Sequence, residues 1–375
     1  MAVPFVSVLL LAMKLNRGPS STAADAAHPG FTLRDETNAA GIHFVHRRPT
    51  FDPKIANIEP HVAALGASVS VTDFDAVDLE RCLELALRLK AERALGAHAP
   101  TAQALAGRYV AMLFEKPSLR TRTTFEIAVR ELGGEVLALQ PDVALGRREP
   151  IADVARNLER WVHAIVIRTF SQRALEEFAA ATTRLHVINA LTDEQHPCQA
   201  LADFITLRER FGSLAGRTLA FVGDGNNIAA SLAHASAMLG VNCHIASPAG
   251  YELPASTVQK ATNLARHGAR LRLFTDPADA IAGADAVYTD TWTSMGQEAE
   301  ADVRRKVFAP YQVNQTLMTA AKPDALFMHC LPAHRGEEVT ADVFESKAAV
   351  VFDQAENRLH GQKALLMMLL ASGRV

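Results

Sequence analysis

Ser118-Leu119-Arg120-Thr121-Arg122 puts two guanidiniums and two hydroxyls into five residues. An apolar run, Tyr109-Val110-Ala111-Met112-Leu113-Phe114, precedes them, and helical periodicity begins at Thr123. Strand, short polar loop and helix follow in order. The first turn of a helix carries unpaired N–H groups and the positive end of the macrodipole, both of which favour an anion. A guanidinium adds a planar fork that matches phosphate oxygens. The segment therefore reads as a site for a phosphate or phosphoanhydride. It also reads as a capped surface helix, with Ser118 contributing roughly 1 kcal/mol as the cap.

Other segments stand at the ends of apolar strands, where parallel α/β folds place ligands. Arg168 follows Ala164-Ile165-Val166-Ile167 and is either a cation at a site or a surface charge. In His196-Pro197-Cys198-Gln199, the histidine can donate to a polarised carbonyl, and Gln199 offers an amide with a donor and an acceptor. The alternative is a loop histidine satisfied by backbone. His196 and Cys198 are too close in sequence to supply a tetrahedral zinc site. Gly223-Asp224-Gly225-Asn226-Asn227 is a Rossmann-like turn without its third glycine, and the next strand ends at Ala246-Ser247-Pro248 with no acid. That excludes the dinucleotide fingerprint and leaves Asn227 and its neighbour for polar groups of a small substrate. Asp290, ahead of Ser294-Met295-Gly296, can pair with an ammonium. Cys330 lies between His329 and His334, and the spacing is not that of metal ligands. A strand-end cysteine there is either packing or part of a site.

Elements must hold these segments. The chain has 375 residues, enough for two domains, with 49% hydrophobic and 21% charged residues. A net charge of −3 leaves no footprint for nucleic acid or an anionic membrane surface. Cys82, Cys198, Cys243 and Cys330 lie far apart, which points to reduced thiols in a cytoplasmic protein. Met1 to Met13 is nearly all apolar and precedes Lys14, Arg17 and a small-residue stretch, the pattern of an exported or fused leader. Residues 1–70 are expected to be a poorly ordered appendage. Helices are expected near 78–94, 123–132, 151–161, 173–181, 197–210, 228–239 and 363–370. Strands are expected at 109–114, 135–139, 164–167, 187–190, 218–222, 241–246, 271–274, 285–289, 325–329 and 349–352. The alternation predicts α/β architecture: two doubly wound parallel-sheet domains, 74–210 and 211–355, a cleft between them, and a C-terminal helix (356–375) packing back on the first.

The set of motifs resembles the aspartate/ornithine carbamoyltransferase family over about residues 74–373. Ser118–Arg122 is similar to its S-x-R-T-R signature, His196–Gln199 to H-P-x-Q and His329-Cys330-Leu331-Pro332 to H-C-L-P. Asp290 with Ser294-Met295-Gly296 is similar to the S-M-G loop of its ornithine-specific members. The P-L-P-R loop of aspartate-specific members is missing. The run Val62–Asp75 faintly resembles the opening of FG-GAP-repeat proteins, with no second repeat following.

The resemblance implies transfer of a carbamoyl group from carbamoyl phosphate to L-ornithine, giving L-citrulline and phosphate, within arginine metabolism and with biosynthesis favoured. It implies that Ser118, Leu119, Arg120 and Thr121 hold the phosphate, largely through backbone N–H groups. Leu119 stands where many relatives have threonine. Arg168, His196 and Thr121 would polarise the carbamoyl carbonyl, Gln199 and the Leu331 carbonyl would hold its amide, and Arg358 would reach back to the same site. Asn227, Asp290, Ser294 and Met295 would position ornithine, with Asp290 beside Cys330 as the environment for a neutral amine. Arg122 would brace the loop. A homotrimer is implied, and neither metal nor cofactor. A carbamoyltransferase for another amine and a non-catalytic binding subunit are the alternatives.

Overall fold

The computed structural model describes residues 68–69, 74–140, 145–146 and 148–371, with backbone alone at 68 and 69. Its strands form two all-parallel sheets. The first contains β1 (Ser68–Val69), β2 (Tyr109–Phe114), β3 (Glu135–Leu139), β4 (Ala164–Arg168) and β5 (His186–Leu191) in the order β1-β5-β4-β2-β3. The second contains β6 (Thr218–Val222), β7 (Asn242–Ala246), β8 (Leu271–Phe274), β9 (Ala286–Thr289) and β10 (Leu326–His329) in the order β10-β9-β6-β7-β8.

Strand periodicity divides the apolar side chains between faces. Val110, Met112 and Val166 face one way, beneath α1 (Ala76–Glu92), α2 (Arg120–Glu131) and α5 (Pro197–Phe211). Ala111, Leu113, Ile165 and Ile167 face the other, against α3 (Ile151–Leu158) and α4 (Gln172–Ala180). In the second sheet Phe221, Ile245 and Tyr288 join the same core as Val110 and Met112 through α6 (Asn227–Leu239). The opposite face packs Val222, Val287 and Phe327 on Trp292 and Phe308. One apolar core thus runs through α1, α5 and α6 from sheet to sheet.

The strand orders explain where a site can form. The chain reverses direction across the first sheet between β2 and β4, and across the second between β6 and β9. At such switch points the loops beyond the strand ends diverge and leave a crevice. Ser118–Arg122 and Arg168 occupy one, Gly223–Asn227 and Asp290 the other.

After α6 come α7 (Ala255–Leu264), α8 (Pro277–Ile281), α9 (Ala301–Phe308), α10 (Gln315–Met318) and α11 (Ala341–Phe344), and the last helix, α12 (Val351–Leu370), packs on α5, α1 and α2. A strand expected at 349–352 is absent: Val351 and Phe352 begin this helix, and only an isolated bridge joins Ala349 to Phe327. The helix is longer than its apolar run because Gln354, Asn357, Arg358, Gln362 and Lys363 are buried on it. Helix α2 starts at Arg120 and not at Thr123, because the Ser118 hydroxyl accepts the Thr121 N–H (3.2 Å) and closes the first turn earlier. Strand β1 lies inside the stretch read as an appendage and pairs with Val187 and Ile188 of β5. The rest of 1–70 lies outside the described residues. Among the described residues no helix is long and apolar enough to cross a membrane.

Phe204 of α5 is fully buried in the shared core. Phe204→Ala is expected to lower unfolding free energy by roughly 3–5 kcal/mol in urea denaturation. A single transition should be kept, because both sheets rest on that core; two separate transitions would refute this packing account.

Candidate active site

The loops at the two switch points enclose a cleft of about 910 Å³. On the first-sheet side three guanidiniums converge. Arg168 ends β4 and is 7% exposed, Arg358 projects from α12 and is 2% exposed, and Arg120 opens α2. Among the described residues no carboxylate forms an ion pair with any of them. Their partners are neutral. Arg120 Nη2 donates to the Leu331 carbonyl (2.6 Å), and Arg358 donates to Gln199 Oε1 and Thr121 Oγ1. Nε of Arg168 and Nε of Arg358 are buried without a partner. Burial, then Arg358 and Arg120, bring Arg168 down to about 10. A cation so depressed still carries its charge at neutral pH, and an arriving anion relieves the repulsion.

His196 stands at the N-terminus of α5, its backbone N–H donating to Ser231 Oγ (2.8 Å) and its ring Nδ1 unpartnered. Burial, then Arg358, Arg168, Arg120 and Lys116, hold the ring well below the usual histidine range. It is therefore a neutral imidazole beside a cationic cluster, able to donate a hydrogen bond without adding charge. Leu119 is 77% exposed at the cleft rim, and Ser118 and Thr121 line the wall. Gln199 does not line the wall; it stands behind Arg358. Arg122 pairs with Glu126 on its own helix (3.2 Å), away from the cleft.

Across the cleft Asp290 follows β9. Its Oδ1 accepts the Cys330 thiol (2.9 Å), and its Oδ2 accepts Asn226 Nδ2 (2.9 Å). Burial, then Asp290, push the Cys330 thiol far above its usual range, so it is a neutral donor. The side chain of Asn226 also caps α6, accepting from Ile228 and Ala229. Asn227 reaches the Thr192 carbonyl (2.6 Å) while lining the cleft, so Asn226 is the asparagine that touches Asp290. Gly225 is required in this loop: a Cβ would lie 2.4 Å from Leu253 N. Ser294 and Met295 line the wall, with Met295 45% exposed. Leu331 holds φ 60, which turns its carbonyl onto Arg120.

Two supporting residues, Lys116 and Arg304, gave no sequence signal. Lys116 is buried at the wall, pairs with Asp193 and lies 4.3 Å from the Phe170 ring centroid. Buried Arg304 joins Asp224 to the Trp292 carbonyl, tying the loop after β6 to the loop after β9. Leu331 N–H donates to His329 Nδ1, which leaves the ring proton on Nε2 facing Glu338 (3.1 Å). Asp290, His329 and Cys330 also bring an oxygen, a nitrogen and a sulfur within 4.8 Å, closer than the spacing of His329, Cys330 and His334 promised. A metal held there would have to displace a thiol proton that burial and Asp290 retain.

Family models match two stretches. "Aspartate/ornithine carbamoyltransferase, carbamoyl-P binding domain" covers residues 67–209, and "Aspartate/ornithine carbamoyltransferase, Asp/Orn binding domain" covers 215–369. The ornithine carbamoyltransferase of Symbiobacterium thermophilum is 50% identical over 305 residues, 81% of this chain and 97% of that protein. The ornithine carbamoyltransferase structure from Pyrococcus furiosus superimposes with TM-score 0.78 at 46% identity, covering 82% of this chain and 98% of that one. The anabolic enzyme from Campylobacter jejuni gives TM-score 0.74 at 36% identity, covering 80% and 97%. Two parallel α/β lobes facing one another across a cleft define the class, that of two-domain carbamoyltransferases. The chain belongs to the aspartate/ornithine carbamoyltransferase family.

Because the folded-state value of His196 is depressed below an unfolded value near 6.5, its contribution to stability is full above pH 6.5 and is lost as pH falls below it. Ring ¹⁵N spectra of the full chain are expected to show His196 neutral down to pH 6. A midpoint at or above 6.5 would contradict the site electrostatics.

Proposed function

We propose that this chain is an ornithine carbamoyltransferase, converting carbamoyl phosphate and L-ornithine to L-citrulline and phosphate. One observation carries the reading: three guanidiniums, Arg168 and Arg358 buried and Arg120 half-buried, have no counter-carboxylate among the described residues and face an Asp290–Cys330 pair across one cleft. An anion fits one wall and an ammonium the other.

In the proposed reaction the side-chain amine of ornithine attacks the carbamoyl carbon, the carbon–oxygen bond to phosphate breaks, and the amine loses a proton. Ser118, Leu119, Arg120 and Thr121 hold the phosphate at the start of α2, with Arg358 behind it. Arg168, neutral His196 and Thr121 face the carbonyl oxygen, where charge develops in the tetrahedral intermediate. The Leu331 carbonyl is assigned to the carbamoyl amide, while Gln199, set behind the wall, acts on the site by holding Arg358. Asp290, Asn227, Ser294 and Met295 receive ornithine. A free alkylamine titrates near 10.4, as lysine does, so the site must select or create its neutral form, with Asp290 beside Cys330 as the environment for it, and the proton the nitrogen loses on attack leaves with the phosphate. The chemistry calls for no metal, redox cofactor or covalent nucleophile.

The same reading assigns residues 74–210 to carbamoyl phosphate and 211–355 to ornithine, with 356–375 returning to the first. It carries a homotrimer and a cytoplasmic, biosynthetic role in arginine metabolism. The anabolic neighbour supports biosynthesis.

Purified protein is expected to form citrulline from the two substrates; product from a different amine alone would overturn the ornithine assignment. Arg168→Ala should lower kcat by about 10²–10³, roughly 2.7–4 kcal/mol of transition-state stabilisation. Arg120→Ala should raise the carbamoyl phosphate KM far more than Leu119→Thr, whose side chain is exposed; equal effects would contradict the assigned phosphate contacts.

A further inference from the structure

Asp203 of α5 is fully buried one layer behind the cleft, and nothing in the proposed reaction uses it. Its Oδ1 accepts from Gln199 Nε2 (2.8 Å) and from Gln354 Nε2 (2.9 Å), and its Oδ2 from the Tyr288 hydroxyl (3.1 Å). These donors come from three places: α5 itself, α12, and β9 of the second sheet. Among the described residues no cation forms an ion pair with it. Burial lifts the carboxyl to about 6, against the opposing effects of its three donors and Arg358, and its three partners all donate to it, as they do to an ionised carboxylate. Cys330, the other titratable group that feels its charge, is a neutral thiol.

An ionised carboxylate only accepts hydrogen bonds, and a guanidinium only donates them. The Gln199 amide lies between the two. It therefore has one direction: nitrogen to Asp203, oxygen to Arg358. Turned round, it would set oxygen against the carboxylate and N–H against the guanidinium. The Gln354 amide is directed the same way, with its oxygen accepting the His329 N–H (2.9 Å) next to Cys330.

We propose that Asp203 is a positioning residue for the anion site: it fixes the polarity of the Gln199 amide, whose oxygen then holds Arg358 at the cleft wall. The inference rests on the reading that Arg358 contacts the phosphate of carbamoyl phosphate. Asp203 does not touch substrate. Its acceptor oxygen sets the amide, the amide sets the guanidinium, and Thr121 Oγ1 supplies the second point that fixes the plane of the fork.

The test uses the full chain and two readouts: calorimetric titration with inorganic phosphate, and the carbamoyl phosphate KM in citrulline formation. Asp203→Leu removes the acceptor at similar volume and is expected to weaken phosphate about tenfold and to raise KM alike. Added to Gln199→Leu, it should cost less than about twofold more, because the two act through one contact. Asp203→Asn keeps an oxygen for both amides and lets Tyr288 accept in place of donating, so it should stay within about threefold of wild type, as should Tyr288→Phe. Additive losses, or unchanged phosphate binding in Asp203→Leu, would overturn the proposal. Should Asp203→Leu not fold, the remaining variants decide. Gln199→Leu must lose about tenfold while Asp203→Asn and Tyr288→Phe hold, and any other pattern overturns it. A wild-type protein that binds phosphate but makes no citrulline would refute the proposed function while leaving the phosphate titrations to judge Asp203.

Discussion

Three guanidiniums lie together at the cleft with no carboxylate among the described residues to neutralise them, two of them almost entirely out of water, and the surrounding structure answers that constraint. Isolated buried charge is expensive, and the usual remedy is an ion pair. Here the groups that grip the guanidiniums are a threonine hydroxyl, a glutamine oxygen and a peptide carbonyl. Neutral acceptors satisfy N–H groups and fix geometry without cancelling charge, so the field stays available for an arriving anion. Burial first, and then the same field with Lys116 adding to it from the wall, keep His196 neutral.

The opposite wall follows a complementary rule. Asp290 is held by a thiol, an asparagine amide and the Thr291 N–H, all neutral donors, and among the described residues it forms no ion pair with a cation. The nearby carboxylate Asp224 is treated differently: Arg304 neutralises it and at the same time anchors Trp292. Of the two acids, only Asp290 is left to a ligand cation. The two walls come from different sheets, yet they rest on one core through α1, α5 and α6. Helix α12 then carries Gln354 and Arg358 from the second sheet's end across to the first, which couples their positions.

Much of this was legible in the sequence where a motif and an apolar strand coincide. Ser118–Arg122, Arg168, His196, Asp290 and Cys330 all follow short apolar runs, and strand alternation placed them at sheet ends. Less legible were the residues whose role depends on distant partners. Asp203, Tyr288, Gln354 and Arg304 meet their partners only after folding, and a buried polar residue on a helix looks like a surface one in sequence. That is also why α12 read as an apolar stub at 363–370: its first half is polar and buried. Helix α2 starts at Arg120, ahead of the apolar periodicity at Thr123, because arginine and threonine carry no apolar signal while the Ser118 contact closes the turn before them. Asn226 and Asn227 have the same chemistry, and only the cap geometry of α6 shows which of them faces Asp290.

The central claim is that the uncompensated guanidinium cluster is the seat of the transferred group's phosphate. A crystal structure of the full chain soaked in carbamoyl phosphate tests it most directly. The account predicts phosphate density at the start of α2, within hydrogen-bond distance of Arg120 and the backbone N–H groups there, with the carbonyl oxygen facing Arg168 and His196. Phosphate bound elsewhere, with the three guanidiniums still facing only water, would contradict it.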